Sequence, residues 1–105
     1  GRLLLAMRDD QAAGCVALRR FDATTGEVKR LWVRPAFRDG GLGRMLAARI
    51  VHEARAVGYA GLVLDTLAPM AAAIALYRSL GFREIAPYYH NPLPGAVYMR
   101  LSLQE

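Results

Sequence analysis

The stretch that decides the fold is residues 31–44, which read LWVRPAFRDGGLGR. Its apolar start, residues 31–33, predicts a strand. Pro35 ends that strand because proline has no N–H to donate to a sheet. A polar turn with glycines at 40, 41 and 43 follows, and a helix begins at once. The first N–H groups of a helix lack intrahelical partners, and glycine lets an anion approach the backbone closely. The stretch therefore predicts a concave pyrophosphate site.

The sequence around this turn predicts alternating strands and helices. Apolar residues recur at helical spacing in a stripe that ends before Gly58: Leu42, Met45, Leu46, Ile50, Ala54 and Val57. A second helix is predicted between Pro69 and Gly81. Strands are predicted at residues 3–7, 13–21, 28–33, 62–64, 83–89 and 96–103. The order β-β-β-α-β-α-β-β indicates an α/β (α+β) domain with a mixed sheet.

Two local details of the third strand are also predicted. Thr24-Thr25-Gly26 is typical of a hairpin turn. Regular alternation then places Val28, Arg30 and Trp32 on one face of the strand, with Lys29, Leu31 and Val33 on the other.

Length and composition exclude several classes of protein. A chain of 105 residues makes one domain, 1–105, and 54% hydrophobic with 22% charged residues is ordinary for a globular protein. No apolar run approaches the roughly 18–20 residues of a membrane span, and we expect no membrane partner. The single cysteine, Cys15, excludes a disulfide framework and a multi-cysteine zinc site. We expect no metal and a reducing cytoplasmic location.

The charge balance is strongly basic. The net charge is +5, and Lys29 is the only lysine among 14 basic residues. Arginine favours planar, bidentate contacts with anions such as phosphate. The excess fits a solvated basic surface, a nucleotide-like cofactor or a nucleic acid. Arg38 and Arg44 would add charge at the rim of the predicted anion site.

Three known phosphate-binding or nucleic-acid-binding loops fit the glycine turn poorly. A Walker loop needs Lys-Ser/Thr after its last glycine, but Arg44-Met45 follows here. A dinucleotide fingerprint needs a third glycine, where Leu46 stands. Residues 40–43 match the GXXG of a KH loop, which joins two helices, whereas a strand precedes this turn. We therefore expect no nucleic-acid partner.

The remaining pattern, Val33-x-Pro35-x-x-Arg38-x-x-Gly41-x-Gly43, resembles the acyl-CoA-binding motif of the GNAT superfamily of N-acetyltransferases. Residues 73–82, AIALYRSLGF, resemble the second signature of that family, a helix that ends in Leu-Tyr before Gly-Phe. The resemblance implies a mixed, mostly antiparallel sheet. It also implies that acyl-CoA binds where the third and fourth strands of this chain splay apart.

The resemblance implies a role for each part of the motif. Acetyl-CoA would be the co-substrate, with its pantetheine along Trp32 and Val33, where a backbone N–H polarises the thioester carbonyl. Tyr77 would contact the cofactor and protonate the departing thiolate. The pyrophosphate would lie on residues 38–44, namely Arg38, Asp39, Gly40, Gly41, Leu42, Gly43 and Arg44.

The acceptor side is predicted from scattered residues. Glu27 resembles the general base of many relatives, although a carboxylate there also suits ion pairs with Arg19, Arg20 or Lys29. We expect substrate contacts from four residues: Asp65, Tyr89, His90 and Asn91. Cys15 lies outside both motifs, which disfavours a covalent acetyl-cysteine route.

The chain departs from the family pattern in two places. Met70 stands where relatives often carry an asparagine that helps hold the cofactor. The chain also enters at what resembles the second strand of the family, so the acyltransferase domain is N-terminally short, and an exposed sheet edge or face favours a homodimer.

We therefore predict an enzyme that transfers acetyl from acetyl-CoA directly to a primary amine of a small molecule, amino acid or peptide. The alternative is a catalytically inactive CoA-binding module that acts as a sensor or assembly subunit.

Overall fold

The computed structural model of the protein describes residues 2–38, 40–67, 71–89 and 94–103. A short 3₁₀ turn, Pro35–Phe37, precedes the first helix. The elements follow one another as β1 (Arg2–Arg8), β2 (Gln11–Arg20), β3 (Thr25–Val33), α1 (Leu42–Val57), β4 (Gly61–Leu67), α2 (Ala71–Ser79), β5 (Arg83–Ile85) and β6 (Ala96–Ser102). This is the predicted order of elements.

The strands form one six-stranded sheet in the order β1-β2-β3-β4-β6-β5. All neighbouring pairs are antiparallel except β3 and β4, which are parallel and connected through α1. The mixed, mostly antiparallel sheet confirms the predicted fold class. None of the helices among the described residues is long and apolar enough to cross a membrane.

Helix α1 packs its apolar stripe against one face of the sheet. The core of the domain lies between them and includes Leu46, Ile50 and Ala54 from the helix with Val16 and Leu64 from the strands. The predicted stripe is confirmed at these helix positions, but Met45 and Val57 at its margins are exposed. The helix ends at Gly58, whose φ of 97° suits a glycine, as predicted.

Strand β3 contains a bulge that the sequence did not predict. Cys15 of β2 pairs with Trp32, whereas Ala17 pairs with Lys29, so Val16 alone lies opposite Arg30 and Leu31. Arg30 has a φ of 58°. An extra residue reverses the alternation beyond it. The predicted grouping of Val28, Arg30 and Trp32 on one face is therefore wrong: Val28, Leu31 and Val33 pack toward the core, while Lys29 and Trp32 lie on the opposite face.

Strands β3 and β4 pair only at their starts. Their register covers residues 25–27 with residues 61–63, and beyond Glu27 no pairing joins the two strands. The bulge at Arg30 follows within three residues of this point. The backbone edge of β3 that faces β4 is therefore open to another hydrogen-bonding partner. This is the splay that the resemblance implied.

Several predicted boundaries differ from the structure by one to four residues, and two of these differences have a clear local cause. The hairpin turn lies at residues 22–24, because the Thr24 N–H donates to the Asp22 carboxylate (2.9 Å) and Thr25 already starts β3. That hydrogen bond lowers the pKa of Asp22. The strand predicted at residues 83–89 ends at Ile85, just before Pro87, which cannot donate to a sheet.

The sheet face opposite α1 is polar near its centre. Paired residues form one row across five strands, in the order Arg19, Glu27, Val63, Arg100 and Arg83. The next row includes Lys29, Asp65 and Tyr98. Toward β1 the same face is apolar and exposed, with Leu3, Leu5 and Met7 each more than half exposed.

Candidate active site

A groove of about 520 Å³ lies where β3 ends and α1 begins. Four residues of α2 form its other wall: Ala71, Ala72, Ala73 and Leu76. Six of the residues predicted to bind the cofactor line the groove: Trp32, Val33, Arg38, Gly41, Leu42 and Gly43. Gly40 lies exposed beside them. Asp39 lies outside the described residues.

The start of α1 is shaped to receive an anion. Gly41 has a φ of 79°, and no atom lies within 4 Å of where its Cβ would be. The N–H groups of Leu42, Gly43 and Arg44 precede the first helical hydrogen bond, from the Met45 N–H to the Gly41 carbonyl (3.0 Å). No side chain among the described residues caps the helix. Gly41, Leu42 and Gly43 line the groove, so the positive end of the helix dipole lies at its wall.

The two arginines of the turn brace it. Arg38 Nε donates to the Val33 carbonyl (2.9 Å), which ties the turn to the end of β3. Arg44 Nη2 donates to Ser79 Oγ (2.8 Å), which donates to the Leu76 carbonyl (2.6 Å). Each guanidinium has five N–H groups, so both arginines keep donors for an anion.

A second cavity of about 310 Å³ fills the gap between β3 and β4. Its walls are residues 28–31, residues 64–67, Ala73 and Tyr77. It shares Leu31 and Ala73 with the groove. A single cleft therefore runs from the glycine turn into the splay.

Tyr77 lies at the inner end of this cleft. Its side chain is 6% exposed and packs edge-on against Phe82, with ring centroids 5.4 Å apart. We find no hydrogen-bond partner for its hydroxyl within the part of the chain that the structure describes. Burial raises the pKa of Tyr77 to about 12. The phenol therefore keeps its proton across the neutral range and can donate it in a hydrogen bond.

Glu27 is buried on the opposite face of the sheet, at 3% exposure. Its carboxylate forms ion pairs with Arg19 Nε (3.1 Å) and Lys29 Nζ (3.3 Å). They are two of the three partners, Arg19, Arg20 or Lys29, that the sequence suggested for an exposed carboxylate, whereas Arg20 Nε donates to the Asp22 carbonyl (3.3 Å). Tyr88 donates its hydroxyl proton to Glu27 Oε2 (2.8 Å).

Lys29 connects Glu27 to Asp65. Its Nζ lies 3.3 Å from Asp65 Oδ1 and 5.5 Å from the centroid of the Tyr89 ring. The Tyr89 hydroxyl donates to Asp65 Oδ2 (2.5 Å). That hydrogen bond and burial raise the pKa of Tyr89 to about 12. Asp65 and Tyr89, both predicted to contact the substrate, therefore meet here, whereas His90 and Asn91 lie outside the described residues, as does Met70.

Two aromatic members of this cluster, Tyr88 and Tyr98, were missed from the sequence as site residues. Tyr88 packs against Phe21, Tyr89 and Tyr98, with ring centroids 5.0–5.3 Å apart. The Tyr98 hydroxyl donates to the Tyr89 carbonyl (2.8 Å). Burial and the contact with Glu27 raise the pKa of Tyr88 well above its usual value. The Tyr-Tyr pair after Pro87 was the available signal, but nothing local showed that it crosses the sheet toward β3.

Comparison with known proteins identifies the arrangement. The family model described as acetyltransferase (GNAT) family matches residues 1–82. The chain belongs to the GNAT acetyltransferase family. An uncharacterised N-acetyltransferase of Schizosaccharomyces pombe is 43% identical over 98% of this chain and 65% of its own length. The IAA acetyltransferase of Azospirillum brasilense is 40% identical over 97% of this chain and 68% of its own.

Solved structures agree with this GNAT assignment. A Klebsiella pneumoniae protein described as an acyl-CoA N-acyltransferase superposes with a TM-score of 0.87 at 32% identity, covering 97% of this chain and 72% of that one. A Salmonella typhimurium protein described as an acetyltransferase with its cofactor acetyl-CoA gives a TM-score of 0.83 at 27% identity, covering 98% and 65%. The chain thus spans about two thirds of the length of these relatives.

The residues of this GNAT chain fit acetyl-CoA as co-substrate. The first N–H groups of α1, for which no side chain among the described residues provides a cap, suit a pyrophosphate. The open edge of β3 suits the amides of pantetheine. Within the described residues, no group of three or more His, Cys, Asp or Glu side chains is arranged to hold a metal ion.

Proposed function

We propose that the protein is an acetyl-CoA-dependent N-acetyltransferase that transfers the acetyl group directly to a primary amine of a small molecule, amino acid or peptide. The observation that carries this proposal is the single cleft. It begins at the first N–H groups of α1, passes the open edge of β3 and ends between Tyr77 and the Lys29–Asp65 pair. Cofactor-binding groups and candidate proton-transfer groups are thus joined by one cavity.

The co-substrate supplies an activated acyl group, and this chain supplies position and proton control. Residues 38–44 would hold the pyrophosphate, and Trp32 with Val33 the pantetheine. A backbone N–H on the open edge of β3 beyond the bulge would donate to the oxygen of the reacting carbonyl. Such a fixed dipole stabilises developing negative charge without reorganisation.

Tyr77 would serve the leaving group. Its pKa of about 12 keeps the hydroxyl protonated, and its ring is fixed by Phe82. The hydroxyl has no competing hydrogen bond among the described residues, so it is free to donate to a developing thiolate. A phenylalanine at this position would keep the packing and remove only the donor.

The two carboxylates would serve the acceptor. An amine is an ammonium ion at neutral pH and must lose a proton before it attacks. Asp65 lines the cleft directly, whereas Glu27 lies behind Lys29 and outside the lining. Glu27 would therefore take the proton through a neighbouring group or a water, and Asp65 with Tyr89 would orient the amine.

Names of relatives favour an amine attached to an amino acid or peptide. N-acetylaspartate synthetase of Rattus norvegicus is 38% identical over 96% of this chain and 33% of its own length. A Brucella melitensis structure named ribosomal-protein-alanine N-acetyltransferase has a TM-score of 0.82 at 29% identity, covering 96% and 68%. Free amino acids and short peptides are thus the first acceptors to test.

The second candidate is a CoA-binding module without turnover. One observation favours it: Glu27 is already engaged by Arg19, Lys29 and Tyr88. These contacts involve both carboxylate oxygens, so an acceptor amine or a water would have to displace a partner to reach Glu27.

Calorimetric titration of acetyl-CoA and thiol release with an acceptor panel separate these functions. We expect saturable binding to the wild type. Gly43→Trp should abolish binding, because its indole would fill the groove. Gly43→Ala is the matched control, since a Cβ there makes only ordinary contacts, 3.8 Å from Leu76 and Val33. Binding to Gly43→Trp as tight as to the wild type would refute the proposed cofactor site.

Tyr77→Phe then decides between enzyme and module. An enzyme should lose about 10²–10³-fold in turnover while keeping its affinity for acetyl-CoA, because general acid catalysis typically contributes about 10²–10⁴-fold. A module would show the same background thiol release in wild type and variant with every acceptor.

The proposal includes a homodimer in the cytoplasm. Leu3, Leu5 and Met7 expose a contiguous apolar strip on the edge strand β1, which favours association. A free cysteine, Cys15, suits a reducing compartment. Light scattering on the wild type and on Leu5→Glu tests the dimer: the wild type should have twice the mass of the variant, and two monomers would contradict it.

A further inference from the structure

The ammonium group of Lys29 lies between two carboxylates on the acceptor side of the cleft. It lies 3.3 Å from both Glu27 Oε2 and Asp65 Oδ1 and 5.5 Å from the centre of the Tyr89 ring. Two carboxylates and an aromatic face are the groups that recognise an alkylammonium ion. The protein thus places an amine of its own among the groups that we assign to the acceptor.

We propose that Lys29 is a self-acetylation site: the protein transfers an acetyl group from acetyl-CoA to its own Lys29 Nζ. This inference rests on the proposed acetyl transfer in the same cleft. It adds a covalent modification of the chain itself.

The position of Lys29 in the fold supports this step. Lys29 lines the cavity between β3 and β4 together with Tyr77. It directly precedes the bulge at Arg30 and lies beyond Glu27, the last residue of β3 that pairs with β4. Its side chain is 30% exposed, so it is neither fully buried in the sheet nor fully exposed to solvent. Its four-carbon chain is flexible, which allows the amine to turn along the cavity.

The proton and electron balance is complete with acetyl-CoA as the only reactant. Lys29 Nζ first loses one proton to Glu27 or Asp65, the two carboxylates it contacts. The nitrogen lone pair then forms the N–C bond to the acyl carbon as the C–S bond breaks. The electron pair of that bond leaves with sulfur, and the thiolate takes up a proton from Tyr77, which lines the same cavity. The amide nitrogen loses its remaining surplus proton, which returns to Tyr77 through water, so the products are the acetylated lysine, the CoA thiol and one proton held by the carboxylate.

Acetylation would change the site as well as mark it. The amide carries no charge, so both ion pairs of Lys29 would be lost. Glu27 would retain Arg19 and Tyr88, and Asp65 would retain the Tyr89 hydroxyl. The carboxylates would then lack their shared cation, so the modified protein should bind a cationic acceptor differently from the unmodified one.

The sequence makes the test unambiguous, because Lys29 is the only lysine. Endoproteinase Lys-C should cleave the denatured chain once, after residue 29, and acetylation should block that cleavage. The purified full chain is incubated with acetyl-CoA without an added acceptor, denatured and digested, and the masses of the intact chain and of its fragments are measured by mass spectrometry. We expect a gain of one acetyl group, resistance to Lys-C, and a fragment spectrum that places the acetyl group on Lys29 rather than on the terminal amine.

Three controls separate self-acetylation from chemical acetylation by the thioester. Lys29→Arg keeps the charge and should gain no internal acetyl group. Gly43→Trp, with its groove filled, should be modified at least tenfold more slowly. The wild type unfolded in urea should also be modified more slowly than the folded protein. Equal rates in folded and unfolded chains would overturn the proposal.

The failure of this proposal is distinguishable from failure of the proposed function. If the chain binds acetyl-CoA and acetylates an added amine while Lys29 stays unmodified, Lys29 is only a counter-ion and the self-acetylation proposal is wrong. If neither binding nor any transfer occurs, both proposals are wrong.

Discussion

The two faces of the sheet differ in the interactions that stabilise them. The face under α1 is apolar. Leu64 and Met99 of the sheet and Ile50 of the helix that covers them are almost completely buried. The opposite face carries a charged and aromatic cluster, in which Glu27 is as buried as many core residues but is surrounded by polar partners. We name the second set the polar cluster: Arg19, Glu27, Lys29, Asp65, Tyr88, Tyr89 and Tyr98.

The α1 face therefore contributes mainly to the stability of the fold, whereas the polar cluster contributes the side chains that can take part in proton transfer. Packing on the α1 face holds the strand–turn–helix that forms the groove, and the groove uses mainly backbone groups. The polar cluster contributes side chains that titrate and hydrogen bond. A change on the α1 face should therefore affect the free energy of unfolding first, whereas a change in the cluster should affect pH dependence and turnover.

The largest effect should come from Ile50→Ala on the α1 face. Ile50 is 1% exposed, and truncating a fully buried isoleucine costs about 2–5 kcal/mol, since the lost contacts leave a cavity. Leu5→Ala is the matched change on the opposite face, where Leu5 is 59% exposed in the single chain, and at a protein concentration low enough to keep the protein monomeric it should cost less than about 0.5 kcal/mol. Urea unfolding of both variants measures the difference.

Equal losses from these two substitutions would contradict the contrast between the faces. A large loss from Leu5→Ala that depends on protein concentration would instead show that Leu5 is buried in a dimer.

The next effect should appear at alkaline pH and belongs to Tyr77. Burial raises the pKa of Tyr77 to about 12 in the folded protein, against about 10 for an unfolded tyrosine. Folding therefore favours the neutral phenol. This contribution is complete below about pH 10 and is lost as the pH rises through about 12.

Comparing the wild type with Tyr77→Phe isolates this contribution. The wild-type free energy of unfolding should fall by about 2 kcal/mol more than that of the variant between pH 9 and pH 12. Urea unfolding at four pH values measures both curves. Parallel curves would show that Tyr77 is solvated in the folded protein, and its assigned place at the inner end of the cleft would then be wrong.

The two halves of the site differed in how far the sequence could predict them. The groove is encoded in residues 31–44, so one contiguous pattern predicted the strand end, the turn and the helix start. The polar cluster depends on the pairing of separate strands, which no local pattern specifies. For Glu27 the sequence suggested ion pairs with Arg19, Arg20 or Lys29, which lie near one hairpin, and two of these three pairs are present. The sequence did not predict that Tyr88 reaches Glu27 from residues that follow β5.

The bulge in β3 was unpredictable for a specific reason. Its residue with positive φ is Arg30, whereas that region of conformational space favours glycine, asparagine and aspartate. Because the prediction assumed regular alternation with no bulge, it placed Trp32 on the wrong face of the strand. The same bulge lies at the splay, so the element that sequence reasoning missed is the one that accompanies the opening of the cleft.

A smaller effect is expected from Tyr88→Phe in the polar cluster. The variant loses the hydrogen bond to Glu27 (2.8 Å) and keeps the ring that packs on Phe21. Hydrogen bonds to charged groups contribute about 1.5–3 kcal/mol, and we expect the low end because Arg19 and Lys29 still satisfy the carboxylate. Urea unfolding near pH 7 measures the loss. Tyr77→Phe is the control, since no described residue hydrogen bonds to the Tyr77 hydroxyl. A larger loss of unfolding free energy from Tyr77→Phe than from Tyr88→Phe would show that the stabilising hydroxyl hydrogen bond belongs to Tyr77 rather than to Tyr88.

The smallest effect should come from an ion pair on the α1 face. Arg2 Nη1 lies 2.8 Å from Glu53 Oε2, and the Arg2 side chain is 50% exposed. Exposed pairs contribute about 0–1 kcal/mol, and salt screens them further. Arg2→Ala should therefore cost less than about 1 kcal/mol at low salt and nothing measurable at 0.5 M salt, about the strength at which surface charges are largely screened. The Arg19–Glu27 pair has one partner almost fully buried, so the cost of Arg19→Ala should persist at high salt. Urea unfolding at low salt and at 0.5 M salt measures the free energy of unfolding of both variants.

If the cost of Arg19→Ala also vanished in salt, Glu27 would be open to solvent, and a direct role for it as proton acceptor would become stronger than a relayed one.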